Sequence, residues 1–397
     1  MYQWNRGGTG TQPPPGAGRR GVTQAVLRLA GTAVVIGVLA ASGCDDGRGV
    51  DRGLTDPGTP GFEAFCDLNA EFMFGLLGPD MIPSIDAPVW DRADVQGTPS
   101  YLSPADRVIG IRAGEDHYAI PHNVLWHHEI VNAELHIHTL AITYCPLTGS
   151  ALVFDRGAVG GVPLGVSGNL YMDNLVMFER GSEEPSLWTQ FDGVAGCGPM
   201  RGARLSQFPF VETRWDAWVR LHPETWVLAD AEDQGFDPLA FDYFHYPYAS
   251  YEDREGFFTG LMPPLDRRRF SKERVIGLPP AEGDPGIAFP FGVLEGREGG
   301  LQAVSFSYRG EPAVILWSDA AEGGGAYEPR TENGVTVELI ARTSGFEDLG
   351  TGSTWTVDGT AVTGPLAGAR LVPLERAHTA FWGSWAAFHP DTRLWEE

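Results

Sequence analysis

Two short blocks of the sequence combine residue types that could do chemistry. The first block is the run 126–132, Trp-His-His-Glu-Ile-Val-Asn, and the second is the run 143–149, Thr-Tyr-Cys-Pro-Leu-Thr-Gly. Cys145 lies just past a predicted strand and offers a thiol, the nucleophile of many covalent mechanisms once it is deprotonated. His128, with Glu129 beside it, offers a base. The candidate catalytic residues are therefore Cys145, His128 and Glu129.

Stronger signatures of known chemistry fail at single positions. The H-E-x-x-H zinc signature needs a second histidine four residues after the first, and position 132 is asparagine. A Cys-x-x-Cys redox pair needs a cysteine at 148, where the chain has threonine. The run 165–168, Gly-Val-Ser-Gly, is not the G-x-S-x-G elbow of serine hydrolases. The sequence therefore excludes an internal dithiol, lacks the zinc signature and gives no support to a serine hydrolase.

Short strands and a few helices are expected to position these blocks. Pro121 suits the first turn of a helix over residues 122–132, on which His128 and Asn132 would share a face. Runs rich in β-branched and aromatic residues, bounded by turn residues, predict strands. The predicted strands are 108–112, 140–144, 151–154, 164–166, 174–178 and 187–190, and a helix is predicted at 215–221.

Much of the sequence occurs twice. The run 198–205 returns as 364–371, and Trp215 and Trp218 return as Trp382 and Trp385, so the spacing is 166–167 residues. Solenoid repeats run only about 20–50 residues, so this period indicates a duplicated domain. We expect an α+β fold, mainly β, with two homologous β-rich repeats that each carry short helices. The repeated tryptophans, and His222 with its counterpart His389, are expected to be structural.

The predicted organisation follows from this period. Residues 62–107 form an entry segment, 108–229 repeat one with the candidate site, 230–272 a connector, and 273–397 a degenerate repeat two. Repeat two has no histidine in 291–300, and the strand expected to match that of Cys145, residues 304–308, has no Cys-Pro. The repeated fold therefore tolerates the loss of the histidine and of the Cys-Pro pair. Their presence in repeat one favours a functional site over a structural role.

The N-terminus predicts export. Arginines precede an apolar run from Leu29 to Ala41, which has the length of a signal-peptide core. The following Ala-Ser-Gly-Cys resembles a bacterial lipobox, so 1–43 is expected to be a lipoprotein signal peptide and Cys44 the lipidated residue. The alternative is an ordinary signal peptide with an incidental Cys44. Residues 44–61 would form a flexible tether, and the protein would be lipid-anchored to a membrane of the bacterial cell envelope.

Charge and cysteine content narrow the function. The formal net charge is −24, which repels phosphate backbones and disfavours nucleic acid as a partner. Lys272 is the only lysine and lies in the polar connector, so lysine chemistry is set aside. Without Cys44, three cysteines remain, so at least one is free, bound to a ligand or paired between chains.

Several motifs together resemble the DUF3179 family, over residues 79–397. The resemblance lies in 128–132, 143–149, 154–156, 165–171, 175–180, 186–190 and Gly198-Pro199. The family has no assigned activity. The resemblance adds Met177 to Cys145 and His128, and one imidazole, one thiolate and one thioether are a soft ligand set that suits copper. Glu129 or Asn132 could then orient the imidazole.

Each candidate residue also has a purely structural alternative. Met177 could fill the core, His128 could pair within its helix, and Cys145 could be a buried hydrophobe or bridge to Cys197. His136 and His138 are expected at the surface. Three functions remain open for a cell-envelope lipoprotein of this family: a copper site at His128, Cys145 and Met177, a thiol enzyme using Cys145 and His128, or a non-catalytic binding or scaffold protein.

Overall fold

The computed structural model of the chain describes residues 66–75, 77–297 and 299–396. The expected signal peptide, the tether and Cys44 lie outside the described residues. Strands hold 40% of the chain and helices 11%, so the mainly β fold class with few short helices is confirmed. In the part of the chain that the structure describes, no helix is both long and apolar enough to cross a membrane.

The first half, residues 66–229, contributes strands that are mostly short. They are β1 (Met73–Gly75), β2 (Trp90–Arg92), β3 (Arg107–Ala113), β4 (Asp116–Pro121), β5 (Ile130–Leu135), β6 (His138–Cys145), β7 (Ser150–Asp155), β8 (Leu164–Tyr171), β9 (Asn174–Glu179), β10 (Leu187–Thr189), β11 (Val194–Cys197), β12 (Ser206–Gln207), β13 (Val211–Arg214) and β14 (Trp226–Leu228). Its helices are α1 (His122–His128) and α2 (Trp215–Leu221), with 3₁₀ turns at Ala70–Phe72 and Arg156–Val159.

The second half, from residue 273 onward, has a similar series. Its strands are β15 (Arg274–Leu278), β16 (Ile287–Pro290), β17 (Leu301–Tyr308), β18 (Glu311–Ser318), β19 (Gly323–Thr331), β20 (Leu339–Arg342), β21 (Gly345–Asp348), β22 (Thr354–Trp355), β23 (Ala361–Thr363), β24 (Leu371–Pro373), β25 (His378–Phe381) and β26 (Arg393–Leu394). Its helices are α3 (Phe291–Leu294) and α4 (Trp382–Phe388), with a 3₁₀ turn at Asp319–Ala321. The described connector, 230–272, contains turns without a named helix or strand.

The strands form five sheets. Their orders are β1-β8-β9-β10-β11, β12-β7-β6-β5, β25-β15-β16-β26, β20-β21-β22-β23, and the long path β17-β18-β19-β13-β3-β4-β14-β2, to which β24 adds beside β19. The long sheet therefore combines strands of both halves. Its junction is the pairing of Glu212 in β13 with Gly324 in β19. On another side, the Phe381 amide of the second half donates to the Thr148 carbonyl of the first, at 2.9 Å.

The two halves use the same strand registers at their centres. Gly110 pairs with Val211 in β3 and β13, and Gly277 pairs with His378 in β15 and β25. Each glycine lies under a tryptophan of the helix that follows its partner strand: a methyl group on Gly110 would overlap the Trp218 ring of α2, and one on Gly277 the Trp385 ring of α4. The four repeated tryptophans are buried, as predicted.

Helix α1 ends earlier than the sequence suggests. The predicted helix reached Asn132, but the observed helix ends at His128, and Glu129 adopts a left-handed conformation with φ 57°. The β-branched residues Ile130 and Val131 then pair with Thr143 and Ile142 in β6. The prediction that His128 and Asn132 share a helix face is therefore wrong. The helix predicted at 215–221 is confirmed at both ends.

Candidate functional site

The His128 imidazole is buried and both of its nitrogens already have partners. Nδ1 lies 2.7 Å from the Pro83 carbonyl oxygen and Nε2 lies 2.7 Å from the Tyr243 hydroxyl. A carbonyl only accepts, so Nδ1 donates to Pro83 and Nε2 accepts from Tyr243. Burial lowers the pKa of His128 to about 4, so the ring is neutral at pH 7. The ring stacks on Phe241, with centroids 5.0 Å apart.

The Glu129 side chain is also buried, and it differs from its neighbour in having no hydrogen-bond partner among the described residues. Burial raises its pKa from 4.5 to about 8, because a carboxylate loses its hydration there. The carboxyl group is therefore mostly protonated at pH 7. Its backbone carbonyl accepts from the Tyr144 amide at 2.9 Å, which places Glu129 beside the end of β6.

Cys145 is the last residue of β6, and its thiol is fully buried. The Sγ atom makes a long contact of 3.7 Å with the Asp173 carbonyl oxygen. Burial raises the thiol pKa to about 12, and the neighbouring Glu129 carboxyl acts in the same direction. At neutral pH the group is a thiol with almost no thiolate, which is the unreactive form.

The connector covers this thiol. Tyr251 donates its hydroxyl to the Leu147 carbonyl at 2.9 Å, and Tyr248 donates to the Trp126 carbonyl at 3.3 Å. The Thr259 amide donates to the Asp173 carboxylate at 2.7 Å. The connector is therefore fastened on both sides of Cys145.

Lys272 ends the connector and is buried, although the sequence suggested a polar surface. Its ammonium lies 3.9 Å from the centroid of the Tyr251 ring and 4.3 Å from that of Phe257, a cation–π arrangement. It also donates to the backbone carbonyls of Arg254 and Gly256. Burial lowers the Lys272 pKa to about 8. The sequence does not reveal this role, because only the fold brings the aromatic residues around the ammonium.

The predicted site residues do not all converge. Met177 is buried and belongs to the same apolar core as Cys145, together with Ile130 and Trp188. His128 instead packs on the aromatic side chains of the connector. Asn132 lies in β5, where its amide donates to Asp86 and to the Leu164 carbonyl, both at 2.8 Å. The described residues contain no group of three or more His, Cys, Asp or Glu side chains placed to hold a metal ion. Copper binding stays a prediction.

The remaining cysteines are joined. Cys66 forms a disulfide with Cys197, so the suggested bridge between Cys145 and Cys197 is wrong. Cys145 is the free thiol of the described residues. The prediction that at least one thiol lacks a disulfide partner in the chain agrees with this pairing.

A second region, between the two halves, was not singled out by the sequence. A cleft of about 470 Å³ is lined by β3, the β5–β6 turn and the β12–β13 segment of the first half, and by β19, β24 and β25 of the second. Its volume falls in the range of about 300–1,000 Å³ that is usual for small-molecule sites. His136 and His138, expected simply at the surface, both line it. Only the three-dimensional pairing of the halves creates this cleft.

The inner end of the cleft holds buried charges. Glu212 lies 3.1 Å from His122 Nε2 and 3.6 Å from an Arg107 nitrogen. These interactions lower the pKa of Glu212 against the opposing effect of its burial. Across the junction, His222 lies 2.9 Å from Asp358 of the second half. Of these contacts, the one between His222 and Asp358 joins the two halves, whereas Glu212, His122 and Arg107 all belong to the first half.

Comparison with family models gives one match. Residues 79–392 match a family described as "Protein of unknown function (DUF3179)". Neither the curated proteins nor the solved structures contain a match.

Proposed function

The chain belongs to the DUF3179 family, and from this premise we propose that it is an exported, lipid-anchored binding protein whose ligand occupies the cleft between the halves. The observation that carries the proposal is the cleft itself, which has the volume of a small-molecule site and walls from both halves. The candidate base and nucleophile, by contrast, are neutral, buried and engaged elsewhere. The binding alternative therefore has more support than the thiol enzyme.

A blocked cleft tests this function. Ala377 lines the cleft and is half-buried, so Ala377→Trp would fill space without removing a polar side chain. We expect some members of a library of sugars, amino acids, amines and carboxylates to raise the Tm of the chain, and Ala377→Trp to abolish these shifts. Cys145→Ala should keep them. Shifts that survive in Ala377→Trp, or a library without any shift, would contradict the proposal.

The envelope part of the proposal depends on Cys44, which lies outside the described residues. Its support is the lipobox-like Ala-Ser-Gly-Cys after an apolar run. Expressed in a bacterium with radiolabelled fatty acid, the chain should carry the label and sediment with membranes. Cys44→Ala should lose the label, and a labelled Cys44→Ala would refute lipidation at this residue.

Internal duplication is part of the same proposal. The paired residues Gly110 and Val211 and the paired residues Gly277 and His378 stand 167 positions apart, and the parallel pairings β4–β14 and β16–β26 also correspond. By sheet order, the counterpart of β6 is β18, not the run 304–308 in β17. Ser318, the last residue of β18, then corresponds to Cys145. This correspondence supports the repeats at 108–229 and 273–397.

A soft metal at Cys145 is the second candidate. It is favoured by the shared core of Cys145 and Met177 and by the weak contact of the thiol. A titration of the chain with Cu(I) against a chromogenic chelator should then show one tight equivalent, lost in Cys145→Ser. Equal uptake by Cys145→Ser would sink this candidate.

The thiol-enzyme hypothesis makes a different prediction. With a thiol pKa of about 12, iodoacetamide at pH 7 should alkylate Cys145 only after unfolding in urea. Rapid alkylation of the folded chain, slowed by His128→Ala, would revive that hypothesis.

A further inference from the structure

The walls of the cleft carry more acidic than basic side chains. Among the described lining residues, the acidic ones are Glu115, Glu212, Glu332 and Asp358, and the arginines are Arg112 and Arg370. Each arginine is already paired with a carboxylate of the same wall, Arg112 with Glu115 at 3.1 Å and Arg370 with Glu332 at 3.1 Å. These pairs engage both arginines together with Glu115 and Glu332, so the lining keeps an excess of two carboxylates, Glu212 and Asp358, over its arginines. The whole chain, with a net charge of −24, repels anions as well.

Two lining side chains present hydrogen-bond acceptors that have no donor. His378 is buried, and its Nδ1 donates to the Arg376 carbonyl at 3.0 Å, so its Nε2 is an acceptor without a partner. Gln207 donates its amide nitrogen to the Ala377 carbonyl at 3.0 Å, which leaves its Oε1 without a partner. Unpaired buried acceptors are costly, and a ligand that brings donors would remove that cost.

Aromatic side chains complete the lining. Phe208 and Phe210 are half-buried beside β12, and Trp218 and Tyr327 contribute rings from the two halves. The negative faces of such rings attract organic cations. The excess of carboxylates, the acceptors without a donor and the aromatic side chains all favour a cationic ligand that carries N–H donors.

We propose that the cleft binds an organic cation that carries protonated amines. This inference rests on the proposed binding function and specifies its ligand class. The ammonium lies near the Glu332 and Asp358 carboxylates and its alkyl part lies against Phe208 and Phe210. N–H donors of the ligand approach Gln207 and His378.

Small probes of equal chain length test the charge preference. Isothermal titration of the full chain should show binding of putrescine, a dication, and no binding of succinate or 1,4-butanediol, its anionic and neutral analogues. Cadaverine, a dication one methylene longer, serves as a second cationic probe. If succinate or butanediol binds as well as putrescine, or if neither cation binds, the inference is overturned.

A matched pair of variants locates the binding. Glu332→Gln removes a cleft carboxylate and leaves the Arg370 charge uncompensated, and it should weaken putrescine binding about tenfold. Glu328→Gln is the control, since Glu328, within β19, is also an arginine-paired, partly exposed glutamate but does not line the cleft. Equal losses in both variants would overturn the inference, because they would reflect net charge alone.

The outcomes separate this inference from the proposed function. Binding of butanediol or succinate that Ala377→Trp abolishes would leave the binding function intact and refute the cation preference. Absence of any Ala377-dependent binding, across the probes and the wider library, would refute both. Circular dichroism of Glu332→Gln should match the parent, because the side chain is half exposed.

Discussion

His128 and Glu129 are adjacent in the chain, but their side chains enter different surroundings. The left-handed backbone of Glu129 ends α1 and turns its carboxyl towards the end of β6, whereas the His128 ring remains among Phe241, Tyr243 and the Pro83 carbonyl. A non-glycine residue in this conformation is uncommon and is maintained by its surroundings. The sequence offered His128 and Glu129 together as catalytic candidates. The positive φ of Glu129 directs their side chains into different surroundings.

Glu129 should make the stability of the chain depend on pH. Its pKa is raised from 4.5 to about 8 on folding, so the native state holds a proton that the unfolded state releases. The stability is unaffected below pH 4.5 and falls as the pH rises from 4.5 to 8. Glu129→Gln removes this loss, and at pH 7 it should raise the free energy of unfolding by on the order of 2–4 kcal/mol relative to the parent.

Urea denaturation at pH 4 and at pH 7.5 would measure this difference. The two proteins should be similar at pH 4 and should diverge at pH 7.5. The difference in free energy of unfolding between Glu129→Gln and the parent should grow with pH. If it does not change with pH, or is larger at pH 4, the carboxyl group is not buried as a neutral acid. Glu115→Gln provides the control, since that side chain is 95% exposed.

Elements with strong local signals were predictable. The strand predicted at 108–112 and the helix predicted at 215–221 are both present. The end of α1 was not predictable, because Ile130 and Val131 leave the helix only to pair with β6, a contact that sequence spacing does not reveal. For the same reason, the disulfide partner of Cys197 and the cleft could not be derived from the sequence. They depend on contacts between distant segments.

The glycines beneath the helix tryptophans test how the helices pack against the strands. Gly110→Ala and Gly277→Ala each force a methyl group into the ring of Trp218 or Trp385. Each variant should lose about 1–3 kcal/mol of stability, as overpacked cores do. Gly78→Ala is the control, since the nearest atoms, in Met81, lie at 3.8 Å. Urea denaturation measures the free energy of unfolding of the three variants. If Gly110→Ala and Gly277→Ala lose no more stability than Gly78→Ala, the packing described for these helices is incorrect.

In the described part of the chain, the two halves share one sheet and contact each other directly. Glu212 of β13 pairs with Gly324 of β19, and Arg214 lies 3.1 Å from Glu322. His222 Nε2 and the Asp358 carboxylate form a hydrogen bond of 2.9 Å across the junction. Loss of the strands of either half would leave the other with an unpaired edge in the shared sheet and without the contacts across the junction.

The chain should therefore unfold in one transition. Tryptophan fluorescence and far-ultraviolet circular dichroism should give coincident urea curves, as expected for a cooperative unit. Gly110→Ala in the first half and Gly277→Ala in the second should both shift this one transition to lower urea. Two separated transitions, each sensitive to only one of the substitutions, would show that the halves fold independently.

The disulfide between Cys66 and Cys197 has a mechanical consequence. It fastens the start of the described chain to β11, across a separation of 131 residues. A pulling force applied at Cys66 passes through a covalent bond into β11 and its partner β10. It does not pass first through β1, whose three residues pair with β8 and would otherwise peel away one hydrogen bond at a time. Reduction should thus lower the force needed to detach the start of the described chain from the sheet that contains β10 and β11.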